Sequence, residues 1–186
     1  MSTIEIRWHG RGGQGVVTGN EILAGAALKE GKYIKAFPEF GAERMGAPIR
    51  AFARISDEPM TVHSQVYYPD AVIVIDPTLL KAVKVTDGLK ENGVVIANFP
   101  DDKAKMAQVI GHSKNIYTVN ATKIAVEEIG KPMTNTAMLG ALVKVTKVVS
   151  LDSIIEEMNA KMGGKLSKEV LAKNLNAVKR AYEEVQ

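Results

Sequence analysis

Residues 10–15 read Gly-Arg-Gly-Gly-Gln-Gly. Glycine adopts positive φ easily and has no Cβ, so another group can come close to such a backbone. Gly10, Gly12 and Gly15 fit the G-x-G-x-x-G spacing of a dinucleotide-binding turn. A nicotinamide site also needs an acidic residue about 20 positions on, after the second strand. Glu39 lies just past the candidate strand Tyr33–Phe37. The same glycines also suit a tight turn that lets a helix pack close to a sheet. A third reading is a phosphate or partner contact at Arg11, Gly12, Gly13, Gln14 and Gly15, where unpaired helix-start amides and the helix dipole favour an anion.

A second cluster lies in Phe37 to Pro48, which has two prolines, two glycines and three charged groups and reads as a long loop. Long loops in compact domains are often functional. Glu43 and Arg44 sit among the apolar Phe37, Phe40 and Met45, a mixture typical of interfaces, so both are candidate contacts to a ligand or partner chain. Arg50 and Arg54 flank Phe52 on one face of a strand, as a solvated face or part of an anion or partner surface. Asp76 ends an apolar run at the place where open α/β sheets bind ligands, and a helix N-cap is its other role.

Other chemistry is excluded or unsupported. With no cysteine in 186 residues, there is no disulfide, thiol nucleophile or iron–sulfur cluster held by this chain. His9, His63 and His112 have no metal-ligand spacing. No Ser/His/Asp set, G-x-S-x-G, Walker A lysine motif or paired carboxylates stand out, so no catalytic residue is assigned. A net charge of +3, mixed along the chain, does not argue for nucleic acid. No apolar run approaches the roughly 20 residues of a membrane helix. With no signal pattern at the start, the expectation is a cytoplasmic protein away from membranes.

The elements that must position these residues follow from periodicity. Ile4 to Trp8 alternates as a strand, and Val16 to Lys29 has near-helical apolar spacing. Ile49 to Ile55 alternates, Ser56 to Pro59 is turn chemistry, and Met60 to Ser64 is expected to return as a hairpin strand. From Pro69 the chain reads as βα units. Strands are expected at Ala71–Ile75, Val94–Ala97 and Ile116–Val119, with helices at Thr78–Leu89, Asp101–Ile110 and Asn120–Ile129. Such alternation implies an α/β fold with a mixed, largely parallel sheet. The last third is helical: Asn135–Val149, then Leu151–Met162 capped by Ser150, then a final helix capped by Ser167 with a stripe at Leu171, Leu175, Val178, Tyr182 and Val185. At this length one domain, 1–186, is expected.

Four motifs, in order, carry a resemblance. These are the Gly10–Gly15 turn after Arg7-Trp8-His9; Phe37-Pro38-Glu39-Phe40-Gly41-Ala42-Glu43-Arg44 with Gly46-Ala47-Pro48; Val74-Ile75-Asp76 with Thr78-Leu79-Leu80; and Asn135-Thr136 with Met138-Leu139-Gly140-Ala141. Together they resemble the gamma subunits of the 2-oxoacid:ferredoxin oxidoreductases, more like the pyruvate branch, over nearly the whole chain. The resemblance implies a three-layer α/β/α sandwich. It implies oxidative decarboxylation of a 2-oxoacid, with acyl-CoA formed and ferredoxin reduced. Thiamine diphosphate with Mg and [4Fe-4S] clusters would sit on partner alpha, beta and delta subunits. This chain, which lacks a GDG…NN thiamine-diphosphate signature, would be a coenzyme A-associated domain. Two competing readings are a free-standing NAD(P)-binding oxidoreductase and a non-enzymatic dimerisation module.

Overall fold

Strict alternation gives the central strands two different faces, and the sheet uses both. The computed structural model describes residues 3–39, 45–62 and 64–186. Among them are six strands and seven helices. The strands are β1 (Ile4–Arg11), β2 (Tyr33–Glu39), β3 (Pro48–Ser56), β4 (Ala71–Val74), β5 (Val94–Asn98) and β6 (Ile116–Val119). The helices are α1 (Val16–Lys29), α2 (Leu79–Ala82), α3 (Lys103–Ile110), α4 (Ala121–Ile129), α5 (Asn135–Thr146), α6 (Leu151–Met162) and α7 (Lys168–Glu184).

The strands form one sheet in the order β2-β3-β1-β4-β5-β6. β1, β4, β5 and β6 are parallel, and β3 runs antiparallel to both β1 and β2. On one face Ile6, Trp8, Ala53, Ile73 and Ile96 are buried with residues of α1 and α5. Helix α7 packs outside α5, and α6 packs on α1. On the other face Val72, Val74, Val95 and Ala97 are buried with Leu79, Leu80 and Met106 from α2 and α3. Helices thus lie on both sides of a mixed sheet, as a three-layer sandwich requires.

The β2-β3-β1 half of that second face is polar. Register places Glu5 beside Arg54 and Lys35, Arg7 beside Phe52 and Phe37, and His9 beside Arg50 and Glu39. Two irregular segments lie over it. Arg54 donates to the carbonyls of Ser64 and Gln65, and Arg7 donates to those of Val85 and Asp87 at 2.9 and 2.6 Å. Arg54 is only 3% exposed and pairs with Glu5 at 2.7 Å. Arg50 pairs with Glu39, and Phe52 is buried. Of the two arginines expected on a solvated or anion-facing surface, Arg54 is therefore drawn into an internal ion pair with Glu5, and Arg50 stays 44% exposed beside Glu39.

Two expected elements are corrected. No hairpin strand forms at 60–62, because both edges of β3 are taken by β1 and β2. Lys35 instead reaches the Val62 carbonyl at 3.1 Å. The helix expected over Thr78–Leu89 is limited to Leu79–Ala82. Val83 turns extended, and Val85 turns inward into the core. A helix continuing to Leu89 would have paired the Val85 carbonyl, which Arg7 takes, with the Leu89 N–H.

Candidate functional site

The glycine turn joins β1 to α1, as its flanks predict. β1 extends further than expected, to Arg11, and pairs there with Pro48 at the start of β3. Gly13 and Gly15 have φ of 92° and 74°, left-handed values that other residues rarely adopt. At Gly15 a Cβ would also run into the Asn135 side chain at the start of α5. That contact fixes the turn against the second helix of the main core.

Helix α1 opens without a side-chain cap and without an acidic residue in its first turn. Gly13 is exposed at the corner. The turn is tied to the far arm of the loop after β2. Gly12 N–H donates to the Ala47 carbonyl at 2.9 Å, and Gly46 N–H donates to the Gly12 carbonyl at 3.2 Å.

Arg11 stands at the centre. Its Nε donates to Asp76 Oδ2 at 3.1 Å, one Nη to Thr78 Oγ1 at 2.8 Å, and the other Nη to the Gly46 carbonyl at 3.1 Å. Asp76 also accepts from Gln14 Nε2 at 2.7 Å and from the N–H and hydroxyl of Thr78 at 2.8 and 2.6 Å. Gln14 Oε1 accepts in turn from the Arg11 N–H at 2.7 Å. Burial works to raise the Asp76 carboxyl. The hydrogen bonds from Thr78 and Gln14 and the Arg11 charge outweigh it and hold the carboxyl below its ordinary value. Asp76 thus joins the turn to the end of β4. It receives the Thr78 N–H as expected for a capping carboxylate, although the residue flanking α2 is Thr78.

The family model for pyruvate ferredoxin/flavodoxin oxidoreductase matches residues 5–184. The chain belongs to this family. The gamma-type chain is similar to the pyruvate/ketoisovalerate oxidoreductases common subunit gamma of Pyrococcus furiosus, with 48% identity covering 98% of this chain and 97% of the relative. It is equally similar to pyruvate synthase subunit PorC of Methanothermobacter thermautotrophicus, with 48% identity covering 98% and 96%. Among solved structures, pyruvate oxidoreductase subunit PORC of Thermotoga maritima superposes with a TM-score of 0.88 at 44% identity, covering 100% of this chain and 98% of that one. A 2-oxoglutarate:ferredoxin oxidoreductase of Magnetococcus marinus shares the fold alone, with a TM-score of 0.80 at 23% identity over 98% of this chain and 31% of that one.

In the gamma-type chain, Arg11, Gly12, Gly13, Gln14 and Gly15 come together with residues 45–47. Glu43, Arg44 and Phe40 lie outside the described residues. The loop is shorter than expected, because Phe37–Glu39 belongs to β2 and Pro48 to β3. Its described arm carries Met45, which is 96% exposed. Glu39, the acidic residue of the nicotinamide reading, sits on an edge strand that β3 separates from β1, and it is held by Arg50. That topology is not the adjacent parallel pair a nicotinamide site needs.

Sequence reasoning missed Gln14 and Thr78 as partners of Asp76, and the buried Arg7–His9 contact at 3.0 Å. One signal was available. Arg11 follows the first expected strand and Asp76 follows the apolar run Ala71–Ile75, so parallel pairing of those two strands, as β1 and β4 pair, brings their side chains together.

Proposed function

We propose that this chain is the gamma subunit of a multisubunit pyruvate:ferredoxin oxidoreductase, which converts pyruvate and coenzyme A to acetyl-CoA and CO2 and reduces ferredoxin. The 48% identity, over nearly the full length, to a common gamma subunit of pyruvate/ketoisovalerate oxidoreductases and to a pyruvate synthase subunit carries this reading. The chain acts as one domain, 1–186, alongside alpha, beta and delta subunits. With no cysteine it has no thiolates for an iron–sulfur cluster, and among the described residues no group of three His, Cys, Asp or Glu side chains is set to hold a metal. Thiamine diphosphate with its Mg and the [4Fe-4S] clusters belong to the partners in this reading, and the chemistry is theirs. This chain holds and orients.

What it holds is coenzyme A or a partner subunit, at the turn of Gly12, Gly13, Gln14 and Gly15 that Arg11 adjoins, with Glu43 and Arg44 from the loop. The uncapped start of α1 and the exposed Gly13 corner support an anion there, such as a coenzyme A phosphate. Met45, apolar and almost fully exposed beside the turn, supports a protein contact.

Anaerobic affinity purification of the chain from its native cell tests the assembly. The expected result is co-purification of larger chains with pyruvate- and coenzyme A-dependent dye reduction. Recovery of the chain alone, carrying a nicotinamide nucleotide, would reject it. In the complex, Arg44→Ala is expected to raise the apparent KM for coenzyme A severalfold. An unchanged KM with intact assembly would leave the loop a protein contact.

A further inference from the structure

The three donating directions of the Arg11 guanidinium end on three different segments: Asp76 after β4, Thr78 at the head of α2, and the Gly46 carbonyl on the loop arm. Gly46 and Ala47 are held a second time by backbone bonds to Gly12. Asp76, only 7% exposed, anchors the guanidinium from beneath and is itself steadied by Gln14 and Thr78. Each of the three guanidinium nitrogens of Arg11 is thus engaged inside the chain, through three of its five N–H donors, and the side chain is 30% exposed.

We propose that Arg11 is a positioning residue: anchored on Asp76, it clamps the 45–47 arm onto the glycine turn and so sets the geometry in which that arm and the turn meet a ligand or partner. The inference rests on the proposed function for what they meet, but not for the clamp itself. Removal of either end of the pair releases the same arm. Arg11→Ala and Asp76→Ala therefore have the same effect, and the double variant is no worse than either alone. Lysine at 11 restores a charge next to Asp76 but cannot reach Thr78 and Gly46 together.

The test uses the assembled complex with four variants: Arg11→Ala, Arg11→Lys, Asp76→Ala and the Arg11→Ala/Asp76→Ala double. Hydrogen exchange at the amides of Gly12 and Gly46, followed by mass spectrometry, reads the clamp directly. Severalfold faster exchange is expected in both alanine variants, no further gain in the double, and an intermediate rate with lysine. Kinetics read its purpose. The apparent KM for coenzyme A is expected to rise by the same factor in Arg11→Ala and Asp76→Ala, with the change in KM rather than kcat. If Arg11→Ala raises that KM while Asp76→Ala leaves it and exchange is unaltered, Arg11 contacts the ligand itself and the proposal is overturned. If exchange accelerates as expected but no variant, Arg44→Ala included, alters coenzyme A kinetics, the clamp stands and the coenzyme reading falls.

Discussion

His9 is a buried base held neutral. Its Nε2 accepts from Arg7 Nε at 3.0 Å, so the ring proton sits on Nδ1. Burial first, then the charges of Arg7 and Arg50, lowers its pKa from 6.5 to about 3. The unfolded chain takes up a proton near pH 6.5 that the folded chain refuses until about pH 3. Stability from this group is therefore intact above pH 6.5 and falls as the pH drops through that window, by about 1.4 kcal/mol per pH unit. His9→Gln keeps an acceptor for Arg7 without the titration. Urea midpoints at pH 7 and pH 5 are expected to drop further for the natural chain than for the variant, and equal drops would reject this account. Asp76 works at lower pH. Its depressed carboxyl contributes stability above its ordinary value of 3.8, which is lost as pH falls further. Little of this was legible beforehand. His9 looked unremarkable because alternation says which face a residue takes, not whether that face is wet.

At the scale of elements the sequence was more informative where the signal is local. Ser150 accepts from the Ser153 N–H at 3.1 Å and Ser167 from the Val170 N–H at 3.2 Å, both as caps read from residue type alone. Signals failed where a distant side chain competed. Arg7 and Arg54 draw carbonyls of the 83–90 and 64–70 stretches to themselves, and these stay irregular. The final helix also differs in detail. Its buried line is Leu171, Asn174, Ala177, Val178 and Ala181, and Leu175 and Tyr182 lie at its margin. The small residues admit α5 closely. A Cβ on Gly140 would overlap the Val178 carbonyl, and Thr136 Oγ1 meets Asn174 Oδ1 at 3.2 Å alongside. Gly140→Ala gains helix propensity of about 1 kcal/mol but forces the two helices apart, at a cost of about 1–3 kcal/mol. A net loss in urea stability is expected, and a gain would show that the pair has room to spread.

Over the whole molecule, composition and βα alternation foretold the layered α/β plan, and they could not foretell strand order. Nothing local says that β3 inserts between β1 and β2. Protection should follow that order. The amides of β1 and β4, in the middle of the sheet, and of the buried α5 are expected to exchange slowest. Residues 64–68, held at Ser64 and Gln65 by the Arg54 side chain, are expected to exchange among the fastest. Equal rates for β1 and the edge strand β2 would contradict this.

The charged layer under the 64–70 and 83–90 stretches has a consequence for alignment. β2 reaches the sheet only through β3, so its position is inherited from how β3 lies on β1. A one-residue slip of β3 would turn Arg50 and Arg54 into the apolar layer beneath α1, where a guanidinium without a carboxylate is strongly disfavoured. The Arg54–Glu5 pair, near the opposite end of β1 from the glycine turn, therefore acts as an index mark. It admits one alignment of three strands and thereby fixes where both ends of the loop emerge.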